Sequence, residues 1–499
     1  MEAIISAVVG ELVTRYISFL INRYIRPASS KEESRQRLQW MLMRIQVTVK
    51  EAEGRHITNQ AMLQQLNMIR EVMYQGYYML DTSVQHQAQE EAYEHGASRS
   101  LSRSKFNPTK RICFSSRSKN NDLKEIEDML ACVETTITGM NEFVVFLKNY
   151  PPMFRQPYST YLFIGNCMFG RQVEFEHVIN FLLYEEHPVD GNIGVLPIVG
   201  PRKVGKTTLI EHVCRDERVR NHFTRIILLS DYDLREERQC TFRDRARIKH
   251  HNDDSGDEKN LVIVEVVGNI DASTWKRLLQ SSYTVSTKSK FIVTSLSKDV
   301  INFGTTQALS LNFLSQEAYW YFFKALLFGS ADSEELPKLS SIAVTILDEY
   351  FHQGATFAGS FIDLNNLANL LKANVGPQSW HKILEFLREN RLQNECLSRK
   401  VLSNLGMEND HRFFRRVTKA TQYFVVDSHG RIALDDEEAP NITVTEAITM
   451  TVVPNGKFEV LVWKSHLPPY HKYIYSCKII EFERKVTENK QGKKRKFLR

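Results

Sequence analysis

The chain has 499 residues, of which 42% are hydrophobic and 25% are charged, and its formal net charge is +6. This length exceeds what one core supports, so we expect roughly three or four domains, and the composition excludes disorder throughout. The mild positive charge is concentrated in particular segments and supports an anionic partner only weakly. Seven scattered cysteines without a Cys-x-x-Cys pair predict reduced thiols of an intracellular protein and exclude a disulfide framework or zinc site.

The first 150 residues predict a bundle of four helices. Apolar residues recur at helical spacing over four segments: 4–20, 38–49, 60–81 and 123–147. The fourth helix is expected to begin after an Asn121/Asp122 cap, to bury Val144 and Leu147 near its end, and to stop before Pro151. Helices with one apolar face each bury those faces most economically against one another, which favours a bundle.

The N-terminal apolar stretch is not expected to cross a membrane. Glu11 and Arg15 interrupt it before it reaches the length of a bilayer span, and it has neither a basic n-region nor a cleavage site. We therefore expect a cytoplasmic protein without a transmembrane segment. The tail carries the basic run Lys493-Lys494-Arg495-Lys496, which is either a solvated terminus or a nuclear import signal.

Residues 99–119 form a basic segment between the third and fourth predicted helices. The segment contains seven lysines and arginines and no acid, which is typical of a solvated loop. The alternative is contact with an anionic membrane surface or with nucleic acid. Only Phe106 and Phe114 could stack on bases, so nucleic acid is the less favoured partner.

From residue 160 to residue 314 the pattern changes to that of a parallel α/β domain. Short apolar segments rich in β-branched residues (LPIV, RIILLS, LVIVEVV and KFIVTS) alternate with helical stretches. This alternation predicts a parallel sheet covered by helices on both faces. The polar stretch 231–260 is expected to be an insertion loop.

The remaining residues divide into two predicted regions. Residues 315–395 return to a helical pattern, and residues 396–499 form a β-rich region that ends in the basic tail. QYFVV and RIAL, joined by DSHG, predict a β-hairpin, and NITVTEA, KFEVLVWKS and YIYSCKIIEF are further predicted strands. The predicted fold class is therefore multidomain α and α/β. The sequence contains no leucine-rich or other solenoid repeat.

The most specific motif of the chain is GPRKVGKTT, which fits the P-loop pattern. It follows a predicted strand and opens a predicted helix, so backbone N–H groups and the positive helix end would face phosphates. The Lys206 amino group would lie along the β- and γ-phosphates, and the Thr207 hydroxyl would reach Mg²⁺. The predicted nucleotide-binding residues of the loop are Gly200, Val204, Gly205, Lys206, Thr207 and Thr208.

The part of the site that would activate water is less complete. P-loop enzymes hold Mg²⁺ with an aspartate at the end of a neighbouring strand and need a group that orients water. The corresponding strand here ends in Val264-Glu265-Val266-Val267. Glu265 is either a ligand in the metal sphere, acting through water, or a strand-end carboxylate that faces solvent or pairs with a lysine. Val266 can neither accept a proton nor align water. The sequence therefore predicts ADP or ATP, a weakened Mg²⁺ site and no efficient turnover.

These motifs, in this order, resemble those of the plant intracellular immune receptors of the coiled-coil NB-ARC type. The resemblance covers residues 1 to about 390 and is most specific in LPIVGPRKVGKTTLIEHVCRDERVRNHF. FGRQVEFEHVINFLL is similar to the segment that opens the family's nucleotide-binding domain, which implies that Gly170 and Arg171 lie near the base. LNFLSQEAYWYFFKALLF is similar to the start of the helical ARC subdomain, which would occupy 315–395.

The sequence departs from the family pattern at several motifs. The Gly-Leu-Pro-Leu motif aligns with Gly359-Ser360-Phe361-Ile362 and lacks the proline that packs on adenine. The acidic motif of the third helix aligns with Tyr77-Tyr78-Met79-Leu80-Asp81 and keeps only the last carboxylate. Neither Met-His-Asp nor leucine-rich repeats are found. The resemblance is therefore to a truncated or degenerate receptor form.

The resemblance implies a nucleotide-binding, immune-receptor-like protein of the plant defence response, acting as a signalling switch or partner regulator with little hydrolysis. Its N-terminal bundle would bind other proteins, either full-length immune receptors or pathogen effectors. Two alternatives stay open: an interaction scaffold whose P-loop is a relic, and a slow P-loop ATPase.

Overall fold

The computed structural model divides the chain into two compact units, residues 1–156 and residues 157–499. The structure describes residues 31–97, 119–152, 169–184, 193–230, 246–249, 259–266, 272–283, 289–329, 337–351, 360–388, 411–415, 422–427, 431–433, 438–443, 446–447, 456–464 and 472–481.

Three long helices form the described part of the first unit: α1 (Lys31–Glu53), α2 (Gln60–Ala97) and α3 (Lys119–Leu147). They confirm the second, third and fourth predicted helices. The first predicted helix and the basic segment up to residue 118 lie outside the described residues, so the four-helix bundle stays a prediction. The helix α3 begins at Lys119, two residues before the expected cap.

The buried faces of these helices agree with the sequence pattern at most positions, but the expected core residues Leu123, Met129 and Ile137 of α3 are only partly buried, and the pattern differs again near the end of α3. Phe143 is fully buried there, whereas the expected core residue Val144 is only partly buried. A helical stripe allows a step of three or four residues, and the step from Met140 is three. Arg70 is fully buried and its Nη1 lies 3.5 Å from Glu53 Oε1, which joins α2 to the end of α1.

One described helix, Leu123–Leu147 within α3, is long and apolar enough to cross a membrane, which the sequence analysis did not anticipate. Ile126, Val133 and Phe143 of this helix are buried in the first unit. The core helix of a globular protein meets the same criteria of length and composition, so this helix is weak support for a membrane span.

The second unit contains a six-stranded sheet in the order β3-β2-β4-β5-β1-β6. Its strands are β1 (Gly194–Val199), β2 (Arg225–Ser230), β3 (Ala246–Lys249), β4 (Asn260–Val266), β5 (Lys290–Ser295) and β6 (Leu309–Ser310). All neighbouring strands are parallel except β3, which pairs antiparallel with β2. The four predicted apolar strands are confirmed. The strand β3 corrects the expectation that 231–260 is a loop, because Ile248 pairs with Ile226 at the sheet edge.

Helices cover both faces of this sheet and separate two apolar cores. On one face, α4 (Gln172–Leu183), α5 (Lys206–Arg215) and α6 (Glu217–His222) pack on Leu196, Ile198 and Ile263. On the other face, α7 (Ala272–Tyr283) and a 3₁₀ helix (Lys298–Phe303) contribute Trp275 and Val300 to a core with Val264. Alternate residues of each strand supply the two cores, as a sheet covered on both sides requires.

A helical region follows, as the sequence predicts for 315–395. It contains α8 (Gln316–Phe328), α9 (Pro337–Phe351), α10 (Phe361–Ala373) and α11 (377–388). Ser315 and Ser360 accept hydrogen bonds from backbone N–H groups at the N-termini of α8 and α10. The assignment of this region as an ARC subdomain stays a prediction.

The C-terminal sheet contains five antiparallel strands and confirms the β-rich prediction. They are β7 (His411–Arg415), β8 (Gln422–Asp427), β9 (Arg431–Ala433), β10 (Lys457–Lys464) and β11 (Lys472–Glu481). The path runs β10-β11-β8-β7, and β9 also pairs with β11.

Two sequence predictions within this sheet are wrong. The strands β8 and β9 do not form the expected hairpin, because both pair with β11 along its length, and the hairpin partner of β8 is β7. The described residues of NITVTEA, 441–443 and 446–447, form no strand, and Thr443 makes only an isolated bridge to Leu461. Thr443 Oγ1 accepts a hydrogen bond from Glu446 N while the Glu446 carboxylate accepts one from Thr443 N, so the two residues form a capping box at a helical turn.

Candidate nucleotide site

The predicted P-loop joins the carboxyl end of β1 to the N-terminus of α5, between the neighbouring strands β5 and β6. Gly200 N donates a hydrogen bond to Ser295 O of β5, and Leu311 N donates one to Val199 O. A Cβ at position 200 would lie 2.5 Å from Leu311 O, so only glycine fits where the loop leaves the sheet. This is the edge of a parallel sheet at which ligands bind in open α/β folds.

One buried apolar residue anchors the loop in the sheet core, and two residues with left-handed backbone set its shape. Val204 is buried in the core that also contains Leu209 of α5. Gly205 has φ 97° and Lys203 has φ 62°. Among the described residues, Lys203 is the only one other than glycine with a positive φ. Left-handed residues beside a helix N-terminus turn successive N–H groups toward one side, which is the geometry of an anion-binding nest.

The left-handed backbone of Lys203 is strained, because its Cβ crowds the following carbonyl at a cost of about 1–2 kcal/mol. Contacts of the side chain hold the residue in place. Lys203 Nζ lies 3.4 Å from Asp363 Oδ2 of α10 and 5.2 Å from the ring centroid of Tyr475 on β11. Sequence analysis missed Asp363 and Tyr475, and no local motif marks either residue. Strain of this kind concentrates at functional sites.

Lys206 turns its side chain back over the loop. Its Nζ donates hydrogen bonds to Gly200 O at 2.7 Å and to Pro201 O at 2.9 Å. Burial lowers the pKa of Lys206 to about 8; the carboxylate of Glu265 opposes this change and the nearby Arg202 adds to it. The ammonium group is therefore partly desolvated and would gain from a bound anion. Thr207 and Thr208 follow in the first turn of α5 and are half-buried.

The predicted metal-side residue Glu265 lies on the sheet face that carries α5. Leu261 and Ile263 of β4 belong to the core beneath α5, and residue 265 shares their side of the strand. However, β5 lies between β4 and β1. The ends of β4 and β1 are therefore two strand spacings apart, about 10 Å.

Val266 points to the opposite face of the sheet. It is buried with Val264 and Trp275 in the second core, away from α5. Packing in this core therefore explains why residue 266 is apolar. Within the described ranges, no group of three or more His, Cys, Asp and Glu side chains could hold a metal ion. Thr207 and Glu265 stay the predicted Mg²⁺ contacts.

The structure gives Gly170 and Arg171 packing partners beside α8. Gly170 has φ 69°, and a Cβ there would lie 3.2 Å from Leu314 Cδ1. The Arg171 guanidinium is buried and donates hydrogen bonds to Glu174 and to the backbone carbonyl of Asn312. Both residues thus join the start of α4 to the segment before α8. Their predicted contact with a base stays a prediction.

Comparison with known proteins identifies a matching family and several sequence relatives. The Rx N-terminal domain family matches residues 8–119. An RPP13-like disease resistance protein of Arabidopsis thaliana is 23% identical over 66% of this chain and 33% of its own length. The disease resistance protein RGA2 of Solanum bulbocastanum is 28% identical over 36% of this chain and 20% of its own length. The matches thus span a third or less of these relatives.

A solved structure, that of C. elegans PCH-2, is 12% identical, with a TM-score of 0.29, over 44% of this chain and 68% of that chain. A TM-score this low carries no argument about this fold. The sequence relatives confirm the resemblance noted above. Residues 8–119 match the Rx N-terminal domain family, and the chain is similar in sequence to plant disease resistance proteins.

Proposed function

We propose that the second unit binds a nucleoside diphosphate at the P-loop and retains it, as the nucleotide-holding part of a plant defence protein. The observation that carries this proposal is the left-handed loop between β1 and α5, with a partly desolvated Lys206 at its end. A nest at a helix N-terminus is suited to phosphate oxygens, and the ammonium group adds a charge that bound phosphate would neutralise. The alternative of a relic loop gives no reason for the strained, left-handed backbone of Lys203.

The residues at the end of β4 favour holding the nucleotide without rapid hydrolysis. Glu265 is the carboxylate that β4 directs to the face of α5, and the next residue, Val266, packs into the opposite core. One carboxylate that reaches the metal through water could support Mg²⁺ with Thr207, and Mg²⁺ would then neutralise phosphate charge. It would leave no second group on β4 to orient the attacking water. We therefore favour a slow switch or partner regulator over an ATPase. Cytoplasmic localisation stays a prediction.

The N-terminal unit is the proposed partner-binding part. Three large apolar side chains on one face of α1 are exposed: Trp40 at 57%, Met43 at 50% and Val47 at 48%. Spacings of three and four residues place them on one helical stripe. Exposed apolar stripes of this kind mark surfaces that bind other proteins. A helix of a protein partner, such as a receptor chain or a pathogen effector, fits this stripe.

The first prediction concerns the nucleotide that the protein carries. Full-length protein purified without added nucleotide should release stoichiometric ADP on denaturation, identified by chromatography. Lys206→Ala should carry none, because the charge facing the phosphates is lost. Lys382→Ala, at an exposed position on α11, is the matched control and should carry as much ADP as the wild type. Empty wild-type protein with the same thermal stability as Lys206→Ala would contradict the proposal and support the relic scaffold.

The hydrolysis rate separates the holder from the enzyme. With Mg²⁺ and ATP the wild type should turn over no faster than the order of 10⁻³ per second. Turnover well above this rate that is lost in both Lys206→Ala and Glu265→Gln would establish an ATPase.

The second prediction is a pH dependence of ADP affinity. Bound phosphate favours the charged form of Lys206 and raises its pKa above the free value of about 8. Binding above that pH must therefore take up a proton, so the affinity should fall as the pH rises from about 8 to about 10. Calorimetry in two buffers of different ionisation enthalpy measures this uptake. Lys206→Arg stays charged and should give a flat profile. A flat wild-type profile would refute the assignment.

The third prediction concerns the α1 stripe. A photoreactive residue at position 43 of the full-length chain should cross-link to a discrete protein in plant extract. The same residue at Lys124, an exposed polar position on α3, should not. Equal labelling from both positions would show that the stripe is not the partner surface.

A further inference from the structure

Three consecutive residues at the start of α10 contact three different parts of the second unit. The ring of Phe361 packs against Tyr319 of α8, with 5.4 Å between centroids. Ile362 packs against the apolar cluster of the C-terminal sheet. The carboxylate of Asp363 pairs with Lys203 of the P-loop at 3.4 Å. The first turn of α10 therefore joins the helical region, the C-terminal sheet and the phosphate-binding loop.

The strand β11 also contacts the P-loop, through the ring of Tyr475. Tyr473 and Tyr475 share one face of the strand, because residues two apart project to the same side. The ring of Tyr475 is 8% exposed and lies beneath the Lys203 ammonium group. Burial raises the pKa of Tyr473, and the carboxylates of Glu211 on α5 and Glu265 on β4 raise it further. The strand thus lies within electrostatic reach of charged groups on α5 and on β4.

We propose that the C-terminal sheet is a wall of the phosphate site, and that Lys203 couples phosphate binding to docking of this sheet. This inference rests on the nucleotide binding proposed above. The backbone of Lys203 shapes the loop for phosphate, whereas its side chain is held by Asp363 and Tyr475. We name these three side chains the Lys203 junction. Lys203 acts in it as a positioning residue.

The sign of the coupling follows from the backbone of Lys203. A lysine relaxes toward negative φ when its side chain is not held, because a Cβ disfavours the left-handed region. The contacts with Asp363 and Tyr475 oppose this relaxation and keep the loop in the form that accepts phosphate. By thermodynamic reciprocity, bound phosphate stabilises the docked sheet by as much as the docked sheet strengthens phosphate binding.

Two substitutions at one position separate the backbone role from the side-chain role. Glycine adopts the left-handed conformation without strain, so Lys203→Gly should bind a fluorescent ADP analogue within about threefold of wild type. Lys203→Ala keeps the strain and loses the junction, and its affinity should fall about tenfold. Equal losses in both variants would overturn the proposal, because the side chain would then act without regard to loop geometry.

A double-mutant cycle tests the link to the sheet. Tyr475→Leu should weaken ADP binding about tenfold in the wild-type background and leave it unchanged in the Lys203→Gly background. Tyr350→Leu removes an equally buried tyrosine from α9 of the same unit and should not change the affinity in either background. Equal effects of Tyr475→Leu in the two backgrounds would overturn the coupling and leave nucleotide binding intact.

Thermal unfolding without nucleotide distinguishes the two levels of the account. If the wild type binds no ADP, the proposed function and the coupling to phosphate both fail. The unfolding midpoints then test the Lys203 junction independently of nucleotide binding. Non-additive shifts for Lys203→Gly and Tyr475→Leu would confirm the contact between loop and sheet, and additive shifts would reject it.

Discussion

The left-handed backbone of Lys203 is the constraint on which the proposed contact between the loop, α10 and β11 depends. A lysine keeps that conformation only where surrounding structure holds it, and here the holding contacts come from α10 and β11. Below the loop, Gly200 is confined by Leu311 O and Val204 is buried in the sheet core. The phosphate-binding loop is thus fixed by the sheet beneath it and by the C-terminal region above it. In the coupling proposed above, Lys203 links the conformation of the loop to the docking of the C-terminal sheet.

The same sheet supports our proposal that the protein holds a nucleotide and does not hydrolyse it rapidly. Side chains of β4 alternate between two cores, and the position after Glu265 belongs to the core around Trp275. Valine fits that core, whereas a carboxylate there would be buried among apolar side chains. The packing of the second core and the absence of a proton acceptor at position 266 are therefore one feature of the fold. The slow switch that we propose would follow from this strand pattern without any special catalytic defect.

Local pattern was sufficient to predict the elements that carry the loop. The apolar strands and the helices α4, α5 and α7 depend on short-range periodicity, and the structure confirms them. The hairpin at DSHG was wrong because β8 and β9 both pair with β11, a choice made by a strand far along the chain. The Lys203 junction was missed for the same reason, since Lys203 and Asp363 are 160 residues apart. Lys203 lies within the P-loop motif, but no motif spacing points from it to Asp363.

The most direct test of this account is hydrogen exchange of the β11 amides in the full-length wild-type chain, with and without ADP. The account predicts that ADP slows exchange across Lys472–Glu481 as well as in the first turn of α5, and leaves α1 of the first unit unchanged. Protection confined to α5, with β11 exchanging at the same rate in both conditions, would contradict it. The C-terminal sheet would then be a neighbour of the nucleotide site and no part of it.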